Sequence, residues 1–155
     1  MQYGETKEVL NQLTADLSQA SAAIHQIHWY LRGDDFKRYH ELMDDFREDV
    51  EEQLDEVAER LIIIDGSPVS TLEEFAEKST IDSIPGEWGK PNSEHIERLV
   101  SIFRVLVSDY SKGIEVASKE GDDVSEDIFI NAKGDLELHI WMMQAELNKA
   151  PKNDA

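Results

Sequence analysis

His28, His40, Asp44, Asp55 and Glu59 are residue types that bind metal ions through nitrogen and oxygen. The first three lie in HQIHWYLRGDDFKRYHELMDDF, residues 25–46, where three histidines, one tryptophan and four aspartates crowd around Gly33. His40 and Asp44 are four residues apart, so on a helix they share a face and can hold one metal ion between imidazole and carboxylate. His28 lies five residues before Gly33 and His40 seven after it. If two antiparallel helices turn at Gly33, the two rings sit at similar heights, and His28, His40 and Asp44 converge. Asp55 and Glu59 repeat the four-residue spacing as an acidic pair.

The two groups are in phase but far apart. Asp44 and Asp55 are separated by eleven residues, which at 100° per residue is three turns with a remainder of about 20°, and roughly 16 Å of rise. Metal–ligand bonds are about 2 Å long, so one chain does not bring both groups to one ion. Two arrangements remain: separate half-sites, or a second copy of the helix lying antiparallel across a two-fold axis, so that each copy completes the other's site.

Taken singly, Asp55 and Glu59 read as solvated helix acids, and each histidine as a surface or capping residue. Five such groups at compatible phases point to a metal. Nitrogen and oxygen donors suit iron, manganese or zinc, and spacing does not choose among them. The Glu-x-x-His signature of a di-iron centre buried within one bundle does not occur, because no histidine has a glutamate three residues before it.

Four long helical stretches position these residues. Apolar residues recur at helical spacing in Leu10, Leu13, Leu17, Ala20, Ile24, Ile27 and Leu31. A second stripe runs from Tyr39 through Met43, Phe46, Val50, Leu54, Val57 and Leu61 to Ile64. A third runs from Ile96 to Ile114, and a fourth from Phe129 to Leu147. No proline interrupts any of them. Gly33 and Asp34 form a short turn, Gly66 and Pro68 end the second helix, and Gly121 closes the third. Residues 65–92 form a long connection containing Pro85, Gly86, Gly89 and Pro91. Within it Ser70-Thr-Leu-Glu73 reads as a capping box that starts a short helix over 71–78. Asp123-Val-Ser-Glu126 reads likewise, with Asp123 in the cap position. Two hairpins joined by one long crossover make an all-α four-helix bundle of ferritin-like connectivity, with a short extra helix in the crossover between the second and third helices. Residues 1–155 read as a single domain.

Composition narrows the function. Hydrophobic residues make up 40% of the chain, enough for a packed core. There is no cysteine, so disulfides and thiolate metal sites are excluded. No apolar run exceeds four residues, as in Leu61 to Ile64, far short of a membrane span, and MQYGETKEVL lacks the pattern of a signal peptide. A cytoplasmic protein with no membrane partner is expected. The net charge of −19 repels nucleic acid and attracts cations.

As a set, HQIHWYLRG (25–33), Phe36, His40, Asp44, DEVAER (55–60), GSPVSTLEEF (66–75), KEGDDVSED (119–127) and HIW (139–141) resemble the Dps family of mini-ferritins over nearly the whole chain. The resemblance implies a hollow shell of twelve ferritin-like subunits. Such shells oxidise Fe(II), preferably with hydrogen peroxide, and store Fe(III) mineral in their cavity, protecting against oxidative damage. It further implies a ferroxidase centre between two-fold-related subunits, with His28, His40 and Asp44 from one and Asp55 and Glu59 from the other. These five residues are then both the metal ligands and the catalytic residues. By the same resemblance Trp29 and Trp141 lie near the centre and absorb stray oxidising equivalents; otherwise they are packing residues. Asp123 and Asp127 correspond to an acidic three-fold pore admitting iron, to which Asp122 and Glu126 add charge; the same acids also favour a helix N-terminus. His25 either assists His28 or packs beside it.

Two other functions compete. A nucleoid-associated protein that protects DNA by coating it needs a basic tail, and neither MQYGETKEVL nor NKAPKNDA supplies one. A metal-free scaffolding bundle would tolerate replacement of all five candidate ligands.

Overall fold

A computed structural model describes residues 2–153. The elements are α1 (Gly4–Tyr30), α2 (Phe36–Ile63), α3 (Leu72–Lys78), α4 (Asn92–Glu120) and α5 (Asp123–Glu146). Among the described residues there is no strand. α1 packs against α2, α3 and α4, and α5 packs chiefly on α4, the two-hairpin arrangement that the spacing predicts. The first apolar stripe is wholly interior: Leu10, Leu13, Leu17, Ala20, Ile24 and Ile27 are fully buried. Each such leucine or isoleucine contributes about 1.5–3 kcal/mol by leaving water. Phe46 meets Phe103 edge to face at 5.2 Å, joining α2 to α4 in mid-core. No helix among the described residues is long and apolar enough to cross a membrane.

Polar ties fix the ends of the bundle. Arg38 donates two hydrogen bonds to Glu146, at 2.7 and 3.0 Å, and Tyr39 Oη donates a third at 2.9 Å, joining the start of α2 to the end of α5. The Arg38 guanidinium holds the Glu146 carboxyl below its ordinary pKa. At the other end Arg60 bonds Asp122 at 2.6 Å and Ser125 Oγ at 2.9 Å, coupling the end of α2 to the start of α5. The α1–α2 turn is held by Asn92, whose side chain accepts from Arg32 N and donates to the Asp34 carbonyl.

The expected helix boundaries shift in detail. The capping box of α3 is Thr71 with Glu74, one residue later than the Ser70–Glu73 pair, because Thr71 Oγ1 accepts from Glu74 N while Glu74 reaches back to Thr71 N. The N-cap of α5 is Asp122 rather than Asp123, since Asp122 Oδ1 accepts from Ser125 N at 3.1 Å. α2 stops at Ile63, with Asp65 rather than a glycine in the left-handed region (φ 65°). Gly66 follows because the chain doubles back there; a Cβ would lie 2.1 Å from the Leu61 side chain. Gly121 closes α4 as expected. Its φ is 77°, and the N–H groups of Gly121 and Asp122 bond the carbonyls of Ser118 and Ala117 in a Schellman motif.

Candidate metal centre

His28 lies in the last turn of α1 and His40 in the second turn of α2, so the short turn between them sets the two rings face to face. They stack at 3.6 Å with an interplanar angle of 14°. The stacking is locked by a reciprocal pair of bonds. His28 Nδ1 is 2.6 Å from the His40 carbonyl oxygen, and His40 Nδ1 is 2.8 Å from the His28 carbonyl oxygen. A carbonyl only accepts, so each Nδ1 carries the hydrogen. In the neutral rings Nε2 is therefore the lone-pair nitrogen on both histidines. Metal-binding imidazoles are commonly held this way, with the second nitrogen donating to a backbone carbonyl. Phe36 stacks on His40 at 4.9 Å.

Asp44 stands beside this pair, one helical turn beyond His40. Its Oδ1 lies 3.7 Å from His28 Nδ1 and 3.7 Å from Arg47 Nη1. The three side chains His28, His40 and Asp44 thus lie near one another, as their spacing predicts. Asp55 and Glu59 lie farther along α2, both exposed, and do not join them. Among the described residues no three carboxylate or imidazole groups gather tightly enough to hold a metal ion. Between the two groups runs a concave strip of about 440 Å3, lined by Asp44, Arg47, Glu48, Glu51, Glu52 and Asp55. Arg47 was not among the residues that the spacing singled out. Its place three residues after Asp44 and four before Glu51 was the available signal.

His25 packs over Trp29 at a ring distance of 3.9 Å and lies 5.8 Å from His28. Burial, then the positive field of Arg47, lower its pKa. Trp29 is exposed beside these histidines, whereas Trp141 lies on the α5 side, exposed in a groove of about 680 Å3 shared with Phe46 and His139. His139 Nε2 contacts Asp49 at 3.2 Å. At the start of α5, Asp123 and Asp127 are both exposed, and Asp127 accepts from Asn131 at 3.4 Å. Asp122 does not add to that exposed charge. It is 2% exposed and paired with Arg60. Burial pushes its pKa up, but the bonds from Ser125 and Arg60 outweigh burial and hold it below the ordinary value.

A long-crossover helical bundle with two imidazoles presented on adjacent helices is the architecture of a ferritin-like protein. The family described as "Ferritin-like domain" matches residues 7–153. The chain is 47% identical over 148 residues to the DNA protection during starvation protein of Streptococcus suis, covering 96% of this chain and 86% of that protein. The X-ray structure of Dps from Listeria monocytogenes superposes with a TM-score of 0.92 at 46% identity, covering 94% of this chain and 95% of that one. A Listeria innocua Dps structure in which two histidines, twelve residues apart, are changed to glycine also matches with a TM-score of 0.92, at 46% identity and 94% and 96% coverage. The chain belongs to the Dps family of ferritin-like proteins.

Proposed function

We propose that this protein is a ferroxidase and iron store. It takes Fe(II) as substrate at centres shared between two-fold-related subunits, with hydrogen peroxide as the preferred oxidant, and retains the Fe(III) product inside a dodecameric shell. The observation that carries this reading is the locked His28–His40 pair, which leaves both Nε2 atoms as lone-pair donors, with Asp44 close to the pair and the matching acids about three turns away on the same rigid helix. His28 and His40 are twelve residues apart, the same separation as the histidine pair altered in the Listeria innocua structure.

The roles follow from donor chemistry. His28 and His40 retain Fe(II) through neutral nitrogen, and Asp44, Asp55 and Glu59 supply anionic oxygen that favours Fe(III) as it forms. Two ferrous ions each give one electron. The peroxide O–O bond breaks as it accepts both electrons and two protons, leaving two waters and no hydroxyl radical. In an antiparallel pairing of α2 with its copy across a two-fold axis, His28, His40 and Asp44 of one subunit face Asp55 and Glu59 of the other, and symmetry makes two sites. Trp29 beside the histidines is suited to absorb a stray oxidising equivalent; Trp141 is farther round the bundle. Asp123 and Asp127 form the acidic rim through which iron is admitted. Removing Fe(II) and peroxide protects DNA without touching it, which accords with a net charge of −19 and with cytoplasmic residence.

Co-assembly tests the shared centre. His40→Ala and the double variant Asp55→Ala/Glu59→Ala each oxidise iron slowly. In a mixed dimer one centre carries both defects and the other carries none, so mixed shells regain a substantial part of the peroxide-dependent rate. If the centre lay within one chain, mixing would restore nothing.

A further inference from the structure

The strip between the two ligand groups contains five carboxylates, Asp44, Glu48, Glu51, Glu52 and Asp55, and one cation, Arg47. Arg47 is held unusually for a half-buried arginine. Its side chain is 26% exposed, and its Nη1 and Nη2 lie 3.7 Å from Asp44 Oδ1 and 3.6 Å from Glu51 Oε1. These are ion-pair contacts, too long for hydrogen bonds. Its Nε is buried and makes no hydrogen bond among the described residues. The guanidinium is therefore held by charge, not by a directional bonded network. Glu51 is anchored in turn by Ser21 Oγ at 3.0 Å, so it keeps Arg47 within reach of Asp44.

Resting on the proposed function, we infer that Arg47 is a positioning residue that restrains the metal affinity of the His28–His40–Asp44 half-site by competing with the metal for the Asp44 carboxylate. Two effects act in the same direction. Arg47 shares the one anionic ligand on this side of the site, and its fixed positive charge repels a divalent ion at the histidines. A unit charge a few ångströms from a divalent ion changes affinity by roughly tenfold or more at the effective dielectric of a protein surface. The half-site alone then holds ions weakly. Full affinity arrives only when the acids of a second copy add their charge, which couples metal capture to the assembled interface.

The test is calorimetric titration of the assembled protein with Co2+, comparing the natural chain with Arg47→Met, Arg47→Gln, Arg47→Lys and His28→Ala, each checked for assembly by light scattering. Arg47→Met and Arg47→Gln should bind Co2+ about tenfold more tightly. Arg47→Lys, which keeps the charge, should stay close to the natural chain. A simple packing role would not give this charge-dependent split. Unchanged or weaker binding in both neutral variants, with His28→Ala still abolishing binding, overturns the inference and leaves the proposed centre standing. Co2+ affinity and stoichiometry in His28→Ala equal to those of the natural chain, or no Co2+ binding by the natural protein, removes both.

Discussion

Asp109 on α4 and Asp16 on α1 are neighbouring carboxyls whose pKa values are driven in opposite directions. Asp16 is fully buried and accepts from Ser79 Oγ at 2.7 Å, Thr80 N at 2.8 Å and Gln12 Nε2 at 3.1 Å. Burial pushes its pKa up, but these donors and Asp109 outweigh burial and hold it below the ordinary value. Asp109 Oδ2 is buried with no donor among the described residues. Burial, then the hydrogen bond to Asp16 and its charge, push the Asp109 pKa up to about 9. Asp109 is therefore the carboxyl that holds a proton below about pH 9, while Asp16, through Ser79 and Thr80, fastens the residues after α3 to the core.

This pair sets a pH dependence of known sign. Between the ordinary aspartate value of 3.8 and about 9, Asp109 binds a proton when folded and none when unfolded. Its contribution to stability is full below 3.8, declines across that window, and is lost above about 9. Asp109→Asn keeps a donor toward Asp16 and removes the titration. Its melting temperature should fall less steeply than that of the natural chain as the pH is raised from 5 to 9. Infrared spectra at pH 7 should show a protonated carboxyl band that this variant lacks.

Arg60 and Asp122 form an interior charge pair, 13% and 1% exposed at the side chain. Arg60→Ala leaves the Asp122 carboxylate buried without its counter-charge and is expected to destabilise the fold by about 3 kcal/mol, read by chemical denaturation. The Asp122 pKa is depressed, so this contribution is present above its unfolded value of 3.8 and disappears as the pH falls through the folded value. The stability gap between Arg60→Ala and the natural chain should therefore close in acid.

Phe36 is the least polar contributor to the histidine pair. The His40 ring stacks with His28 at 3.6 Å and with Phe36 at 4.9 Å. Phe36→Ala frees one face and lets the ring rotate, so Co2+ affinity should drop roughly tenfold, the scale of a lost outer-shell support. Circular dichroism should show the same helix content, because Phe36 is 37% exposed.

The short helix α3 depends on its cap. Its seven residues include none that is buried, so interior packing adds little. Thr71→Ala removes the Thr71–Glu74 reciprocity, at a cost of about 1 kcal/mol. Amide exchange at Phe75 and Ser79, which bond back to Thr71 and Phe75, should accelerate roughly fivefold. Exchange in α4 should be unchanged.

Periodicity located the four long helices because burying an apolar stripe is a local property of 3.6-residue spacing, readable in Leu10, Leu13, Leu17 and their successors. It also showed that Asp44 and Asp55 share a direction but not a place, since a helix has a fixed rise. The caps were legible only to within a residue. Ser70–Glu73 and Thr71–Glu74 both fit the pattern, and either Asp122 or Asp123 could cap α5; the three-dimensional hydrogen bonds select Thr71 with Glu74 and Asp122 with Ser125 and Arg60. Three features belong to the tertiary structure alone: the donation of each histidine Nδ1 to the other's carbonyl, the loose hold on Arg47, and the proton held by Asp109. Each depends on how far apart atoms from distant or differently turned segments come to rest, and on how much water is left around them. Residue order does not specify either quantity until the chain has packed.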